Sequence, residues 1–313
     1  MTCQTRCAII DIGSNTARIN IYDADGQEFV RILTQCEELG ILNFIENRTL
    51  SEEGIRKLLE TLRAFSNLAQ RVDCSRCHYL ATAGLRSIGN FQALHRRAEE
   101  ELGVHIERIS GDEEALLSFS GLKYGVSEPL RSGIMVDLGG GSTELLGFVD
   151  GMAVRAQTLP FGSLSLYRQF VSAILPEKAE LREMKSFLDR RISEVCWLKN
   201  YGNTAYLVGG SARAAETLYR LAFPSARPNA PRELSYEELK ALYDRLREAD
   251  SAAIHLLVRS FPSRLHTLVP GILELLRIAK FAEVNRLVIS STGIREGYLV
   301  QRILSQTEGA VIS

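Results

Sequence analysis

The sequence lacks the features that mark three large classes of protein. No apolar run approaches the length of a membrane-spanning helix. The opening residues, Met-Thr-Cys-Gln-Thr-Arg, lead directly into a predicted strand and leave no room for a signal peptide. The formal net charge is −1, so there is no broad basic field for nucleic acid. We therefore expect a cytoplasmic protein whose partner is neither a membrane nor a nucleic acid.

Cysteine is scarce, with six in the chain. Cys74, Cys77 and His78 match the spacing of a c-type haem attachment site, but that attachment takes place outside the cytoplasm. Cys3 and Cys7 together with Cys74 and Cys77 have the chemistry of a zinc site, although nothing in the sequence brings the two pairs together. Reduced, partly buried thiols are the interpretation that the expected compartment favours.

No Gly-x-x-x-x-Gly-Lys-Ser/Thr loop occurs, but another glycine-rich loop does, in Ile134-Met-Val-Asp-Leu-Gly-Gly-Gly-Ser-Thr-Glu-Leu145. Apolar residues predict a buried strand that ends at Asp137, and three glycines follow it. Glycines let backbone N–H groups surround an anion such as phosphate. Asp137 and Glu144 flank the run, and two carboxylates beside a phosphate cradle indicate a cation, most simply Mg²⁺. A glycine-rich hairpin turn without a ligand is the alternative.

A related loop stands earlier, in Ala8-Ile-Ile-Asp-Ile-Gly-Ser-Asn-Thr-Ala-Arg18. With an offset of 126 residues, three pairs of positions coincide: Asp11 with Asp137, Gly13 with Gly139, and Arg18 with Glu144. Two such loops, a domain's length apart, predict a duplicated domain with one phosphate loop in each half. Facing each other across a cleft, they would hold a polyphosphate chain from both sides.

Hydrophobic periodicity predicts strands and helices in alternation. Asp25-Gly26 and Asp150-Gly151 predict a hairpin after each loop. Ser51 is expected to cap a long amphipathic helix. A second long helix is predicted over 177–198, and the proline-containing stretch 223–232 is expected to be irregular.

Two further segments open predicted helices. Ser110-Gly-Asp-Glu-Glu-Ala115 places acids in a first turn, where they favour the helix dipole. The last of these acids, Glu114, has the alternative role of a general base that orients water for attack on phosphorus. Val208-Gly-Gly-Ser211 leads from a strand into a helix, which suits either an anion site or close helix–strand packing.

Taken together, the motifs resemble those of the exopolyphosphatase / guanosine pentaphosphate phosphatase (Ppx/GppA) family over nearly the whole chain. The shared motifs are Ile10-Asp-Ile-Gly-Ser-Asn15 with Arg18, Ala81-Thr-Ala-Gly-Leu-Arg86 with Asn90, Ser110-Gly-Asp-Glu-Glu-Ala115, Val136-Asp-Leu-Gly-Gly-Gly-Ser-Thr-Glu144, Val208-Gly-Gly-Ser211 and Ser291-Thr-Gly-Ile-Arg-Glu-Gly297. Each is weak alone, and their order and spacing are specific.

The resemblance implies an α/β fold with two RNase H-like domains of the actin, Hsp70 and sugar-kinase superfamily around a central cleft. Each domain is expected to hold a five-stranded mixed sheet. A polar link over 125–132 predicts the boundary, with domain I at 1–127 and domain II at 128–313. A helix of about 296–313 is expected to pack back on domain I.

The resemblance also implies a hydrolase that releases terminal phosphate from inorganic polyphosphate, guanosine pentaphosphate or both, with Mg²⁺ or another divalent cation as cofactor. Glu114 and Glu144 match the family's catalytic glutamates, and Asp11, Asp137 and Glu144 its metal-site acids. Phosphate contacts are expected from Gly13, Ser14, Asn15, Thr16, Arg18, Arg86, Gly139, Gly140, Gly141, Ser142, Thr143, Gly210, Ser211 and Arg264. Guanosine tetraphosphate is a further expected ligand, and such proteins often form homodimers.

Two departures from the family pattern touch the expected cleft wall. Leu265-His266 stand where Ala-Asp is usual, and Ala83-Gly84 replace a usual serine. The chain also lacks the extra C-terminal helical domains of longer members, so weaker processivity or shorter substrates are expected. A non-catalytic regulator that binds guanosine tetra- or pentaphosphate, and a small-molecule kinase of the same superfamily, are the alternative functions.

Overall fold

The computed structural model describes residues 5–26, 28–126, 128–224 and 232–305. Their contacts form two compact units. Unit 1 contains the described residues up to Gly121 and those from Ile294 onward, and unit 2 runs from Leu122 to Gly293. Position 127, where the domain boundary is predicted, lies outside the described residues, as do positions 306–313 of the predicted final helix. The domain bounds therefore stay a prediction.

Unit 1 is built on a five-stranded sheet in the order β3-β2-β1-β6-β7. β2 runs antiparallel to both β1 and β3, whereas β6 and β7 run parallel to β1. The strands, with the separate small hairpin β4–β5, are β1 (Thr5–Ile12), β2 (Thr16–Asp25), β3 (Glu28–Glu38), β4 (Ile45–Glu46), β5 (Thr49–Leu50), β6 (Arg76–Ala81) and β7 (Ile106–Arg108). The five-stranded mixed sheet expected from the resemblance is thus confirmed in this unit.

Helices cover both faces of this sheet. They are α1 (Glu52–Arg71), α2 (Ala83–Arg86), α3 (Phe91–Leu102), α4 (Gly111–Gly125) and α11 (Ile294–Tyr298), the last followed by a π-helical turn (Leu299–Leu304). The Ser51 hydroxyl accepts the N–H of Gly54 at 3.2 Å, which confirms the predicted cap of α1. The apolar stripe of α1 lies in the core on one face, and α4 with the C-terminal segment covers the other.

Unit 2 repeats this topology. Its sheet has the order β10-β9-β8-β11-β13-β12, so its first five strands match unit 1 strand for strand. The strands are β8 (Ser132–Leu138), β9 (Thr143–Val149), β10 (Met152–Leu159), β11 (Thr204–Val208), β12 (Glu233–Ser235) and β13 (Arg286–Ile289). The expectation of five strands is wrong here, because the three-residue β12 adds an antiparallel edge. A strand this short carries no periodic signal.

The helices of unit 2 differ from the prediction at two points. They are α5 (Ser163–Phe170), α6 (Lys178–Ser193), α7 (Gly210–Ala222), α8 (Tyr236–Leu246), α9 (Ser251–Ser260) and α10 (Leu265–Phe281). The helix predicted over 177–198 ends at Ser193, and a 3₁₀ turn (Cys196–Tyr201) follows that buries Trp197 and Leu198. The eight-residue α5 was missed because it is short and serine-containing. Of the stretch predicted to be irregular, 225–231 lies outside the described residues.

In the described ranges, no helix combines the length and the apolar character that crossing a bilayer requires.

Candidate active site

The two predicted phosphate loops have the same backbone geometry. In loop 1 (residues 13–16) the N–H of Gly13 donates to the carbonyl of Thr16 at 3.0 Å, and in loop 2 (residues 139–142) the N–H of Gly139 donates to the carbonyl of Ser142 at 3.0 Å. A Cβ atom at Gly139 would lie 2.9 Å from that carbonyl oxygen, so the turn requires glycine. The turn bonds Gly13–Thr16 and Gly139–Ser142 are thus related by the predicted offset of 126 residues.

Each loop contains backbone N–H groups that no acceptor in the described part of the chain meets. Among the described residues, no acceptor meets the N–H of Ser14 or Asn15 in loop 1, nor that of Gly140 or Gly141 in loop 2. The Ser14 hydroxyl is also without a partner in that part of the chain, although the residue is only 3% exposed. Successive N–H groups of this kind form a concave nest for an anion.

The carbonyl side of each loop is tied to the protein. The Asn15 carbonyl accepts the N–H groups of Leu39 and Gly40, both at 2.8 Å. The Gly140 carbonyl accepts those of Leu164 and Ser165, at the start of α5, at 2.9 and 3.0 Å. These bonds fix the loops while their N–H groups stay available.

Asp11 lies at the end of β1 and is held by a cation. Arg295 of α11 donates to its Oδ2 at 3.0 Å, and the Thr82 hydroxyl donates to its Oδ1 at 3.4 Å. Both members of the ion pair are largely buried, with 12% of the Arg295 side chain and 20% of the Asp11 side chain exposed. Arg295 was part of a quoted motif but had no predicted role, because its partner is 284 positions away.

The structure separates the acids at the start of α4. The Arg86 guanidinium donates to Glu114 Oε2 at 2.6 Å, and the two side chains are 19% and 12% exposed. Glu113 instead pairs with Arg302. Of these two glutamates, Glu114 therefore contacts another residue of the predicted site, whereas Glu113 contacts the C-terminal segment.

Gly84 connects Arg86 to loop 1. A Cβ atom at Gly84 would lie 2.7 Å from the Cα and 3.0 Å from the N of Ser14. The short helix α2 therefore packs directly on the loop, and it carries Arg86 at its end. This close approach is a physical reason for the departure Ala83-Gly84.

The two predicted metal-site acids of unit 2 lie opposite each other in its sheet. Asp137 and Glu144 are direct partners across β8 and β9, in the register that pairs Asp11 with Arg18 in unit 1. Cross-strand partners share a sheet face, and two like charges there repel. At the position where unit 1 has the cation of Arg18, unit 2 has a second carboxylate, that of Glu144. Carboxylate oxygens are the ligands that Mg²⁺ prefers, so the residues present fit the expected metal.

Glu144 is held in place inside the unit. It is 1% exposed, and the Ser142 hydroxyl donates to its Oε1 at 2.6 Å. The neighbouring Thr143 hydroxyl donates to Oε1 of Glu274, also at 2.6 Å. Thr143 is fully buried and its hydroxyl is engaged, so the phosphate contact expected of it stays a prediction.

Glu274 of α10 is a buried acid that the sequence analysis missed. It is fully buried, and among the described residues its Oε2 has no hydrogen-bond partner. Burial raises its pKa to about 8, the Thr143 hydrogen bond opposes that rise, and the Glu144 charge adds to it. The group is therefore a neutral acid near pH 7. The available signal was a lone acid in the apolar run Leu-Val-Pro-Gly-Ile-Leu-Glu-Leu-Leu.

Arg264 lies against the first turn of α7. A Cβ atom at Gly210 would lie 2.7 Å from Arg264 Cζ, so the guanidinium covers the helix start. Ser211 follows and is 2% exposed. A helix N-terminus with an arginine beside it favours an anion. At the departure Leu265-His266, the ring of His266 packs on the ring of Tyr167, with 5.0 Å between their centroids.

The cysteines give no support to a haem or zinc site. Cys3 lies outside the described residues, and Cys7, Cys74 and Cys77 are free thiols. Burial raises the pKa of Cys74 to about 11, which keeps it a thiol. In the described part of the chain, the side chains grouped closely enough for a metal are instead His95, Glu99 and His105.

That histidine group is explained by hydrogen bonds. The N–H of Ile106 donates to His95 Nδ1 at 3.3 Å, so the proton of a neutral His95 is on Nε2. Nε2 faces Glu99 Oε1 at 3.3 Å, which is an acceptor for that proton.

The comparison with protein families decides the family of the chain. The model of the Ppx/GppA phosphatase family matches residues 28–306. The chain belongs to the Ppx/GppA phosphatase family. Two relatives within it are exopolyphosphatase 1 of Mycobacterium leprae, 24% identical over 98% of this chain and 92% of that protein, and exopolyphosphatase 1 of Mycobacterium tuberculosis, 23% identical over 98% and 91%.

Solved structures of Ppx/GppA proteins share the fold. The Aquifex aeolicus family member is 25% identical, with a TM-score of 0.79 over 97% of this chain and 99% of that one. The exopolyphosphatase of Cytophaga hutchinsonii is 20% identical, with a TM-score of 0.85 over 96% and 98%, and shows the fold alone. The predicted class, α/β with RNase H-like domains of the actin type, is confirmed.

Each unit of this Ppx/GppA phosphatase thus gathers its own part of the predicted site. Unit 1 brings together loop 1, Asp11, Arg86 and Glu114. Unit 2 brings together loop 2 with Asp137 and Glu144, and separately places Arg264 on the start of α7.

Proposed function

We propose that this protein releases the terminal phosphate of inorganic polyphosphate, guanosine pentaphosphate or both, by attack of a water that Glu114 orients. The observation that carries the proposal is the Glu114–Arg86 pair beside loop 1, joined to it through Gly84. A base for water and donors for phosphate oxygens are what hydrolysis of a phosphoanhydride needs, because its transition state calls mainly for positioning and charge stabilisation.

In this proposal the residues of unit 1 bind the terminal phosphate and activate the attacking water. The N–H groups of Ser14 and Asn15 hold phosphate oxygens, together with Arg18 and Arg86. Arg86 also holds the Glu114 carboxylate, so one guanidinium links the base to the phosphate that is attacked. Glu114 accepts the proton of the attacking water as that water adds to phosphorus. The bond from phosphorus to the bridging oxygen breaks, and the shortened chain leaves with that oxygen as an anion.

In unit 2, loop 2 would hold further phosphate oxygens, with Arg264, Gly210 and Ser211 as additional contacts. Asp137 and Glu144 would hold a divalent cation, which when bound supplies positive charge that neutralises phosphate oxygens. Asp11 stays a predicted third acid of the metal site, although Arg295 engages its Oδ2. Whether the loops of the two units share one cleft stays a prediction.

The proposal extends to the substrate, the compartment and the assembly of the protein. The curated relatives named above are exopolyphosphatases, which favours polyphosphate as substrate. Guanosine pentaphosphate stays in the proposal because it presents the same terminal phosphoanhydride. The free thiols of the described cysteines favour a reducing compartment, and we propose the cytoplasm. A homodimer is the proposed assembly, and light scattering of the purified protein tests it.

The test is phosphate release from polyphosphate and from guanosine pentaphosphate, side by side, with native protein, Glu114→Gln and Glu113→Gln. Replacing a positioned base is expected to lower turnover about 10²–10⁴-fold. Glu113→Gln is the matched control, because it removes the adjacent charge of the same helical turn, which pairs with Arg302. It should retain turnover within about threefold of native.

The outcomes separate the functions. Native turnover by Glu114→Gln would overturn the role of Glu114. Tight binding of guanosine pentaphosphate without phosphate release, with Mg²⁺ present, would favour the non-catalytic regulator. Phosphate transfer from ATP to an acceptor, faster than hydrolysis, would favour the kinase.

A further inference from the structure

A pocket of unit 2 lies between α6, α8 and α10, and none of its lining residues belongs to the predicted site. Its volume is about 480 Å³, within the range of small-molecule sites. Three buried leucines line it: Leu181, Leu273 and Leu276. The half-buried rings of Tyr236 and Tyr243 complete its apolar part. The pocket therefore offers a flat aromatic and aliphatic surface to a ligand.

The rim of the pocket is strongly basic. Seven cationic side chains line it against one carboxylate, in a chain whose net charge is −1. Some of these cations are neutralised locally: Lys178 pairs with Glu248 at 3.0 Å, and Arg247 with Asp244 at 3.0 Å. A basic rim of this excess attracts an anion.

Three of the cations have no such partner. Within the described residues, Arg182, Lys185 and Lys280 form no ion pair, and all three are exposed on α6 and α10. Unpaired like charges on neighbouring helices repel, which costs stability that an anionic ligand would restore. An ordinary solvated face would mix charges of both signs.

We propose that this pocket binds a nucleotide, with the base on the tyrosine and leucine surface and the phosphates on Arg182, Lys185 and Lys280. An inorganic anion would use the rim and leave the apolar surface empty, and an uncharged aromatic ligand would leave the cations unpaired. A nucleotide fits both the apolar surface and the basic rim. Its base has a face that stacks on aromatic rings, and its phosphates pair with cations. The site is independent of the proposed hydrolytic site.

The first experiment measures the affinity of a fluorescent ADP analogue by titration. Unlabelled ADP and inorganic triphosphate are then compared as competitors, and ADP should displace the analogue at the lower concentration, because triphosphate contacts the rim alone. The double variant Lys185→Glu with Lys280→Glu is expected to bind at least about tenfold more weakly, because it reverses two charges at the rim. Arg56→Glu, an exposed position of α1 in unit 1, is the matched control and should bind like native protein. Both variants change exposed side chains, so their folding is not at risk.

The second experiment locates the ligand. Native protein is photolabelled with 8-azido-ADP and the labelled peptides are identified by mass spectrometry. Label on the peptides that contain Tyr236 or Tyr243 supports the proposal. Equal affinity of native protein and the double variant would overturn it, as would displacement by triphosphate at concentrations no higher than those of ADP, or label confined to loops 1 and 2.

Discussion

Glu274 makes a prediction about stability that follows from its burial. Its pKa is raised from an ordinary 4.5 to about 8 in the folded protein. Between these values the folded chain binds one proton more than the unfolded chain. The free energy of unfolding must then fall as pH rises, by about 1.4 kcal/mol per pH unit from this group. Its contribution is complete below pH 4.5 and is lost as pH rises through about 8.

Glu274→Gln removes this titration and keeps an oxygen for the Thr143 hydroxyl. Urea unfolding at several pH values between about 5.5 and 7.5 compares the two proteins. The unfolding free energy of the variant minus that of native protein should grow by roughly 1 kcal/mol per pH unit. Histidines titrate in the same range, but they are common to both proteins and cancel in the difference.

Glu216→Gln is the control, since Glu216 is a buried acid of unit 2 that pairs with Arg220. It separates a general effect of losing a buried carboxylate from the effect of Glu274. Parallel stability curves for Glu274→Gln and native protein across this pH range would refute the reasoning. They would mean that Glu274 is ionised in the folded state, with an internal cation or water as its partner.

Three further predictions concern the loops and the metal. Arg295→Ala should destabilise the protein by up to about 3 kcal/mol, because it leaves a largely buried carboxylate unpaired, and urea unfolding checks this; an unchanged midpoint would argue against the ion pair. Gly84→Ala should lower the free energy of unfolding by about 1–3 kcal/mol and weaken phosphate binding, because the added methyl group meets the loop 1 backbone. Gly89→Ala is the control: its methyl group would have ordinary contacts, so it should be near neutral in the same assays. Asp137→Asn should raise the Mg²⁺ concentration for half-maximal phosphate release by roughly tenfold or more, and chelation should abolish native activity reversibly; activity that survives chelation would contradict the metal site.

The sequence predicted best where local pattern and topology agree. Asp11 and Asp137 each end an apolar strand and precede a glycine, and that local chemistry was enough to find both loops and their offset. The hairpins followed from Asp-Gly turns, and α1 from its apolar stripe and its cap. These features depend on residues close together in the chain, so short-range rules were sufficient.

The parts that local pattern left open or missed depend on distant partners. Glu114 was chosen among the acids of α4 through the resemblance, because the contacts that distinguish it from Glu113, with Arg86 and Arg302, cannot be read locally. Glu274 stood in an apolar helix with no sign of its partner Thr143, 131 positions earlier. The edge strand β12 is too short to have a period. Tertiary contacts decided these cases.

The ion pair between Asp11 and Arg295 has a consequence for biosynthesis. Strand β1 obtains its charge partner from a residue that is synthesised 284 positions later. The same late segment covers an apolar face of the sheet in unit 1. A chain whose translation stops before α11 would therefore have Asp11 without its cationic partner and one apolar face of the unit 1 sheet partly exposed to solvent. Synthesis of α11 is thus needed to complete the surroundings of loop 1.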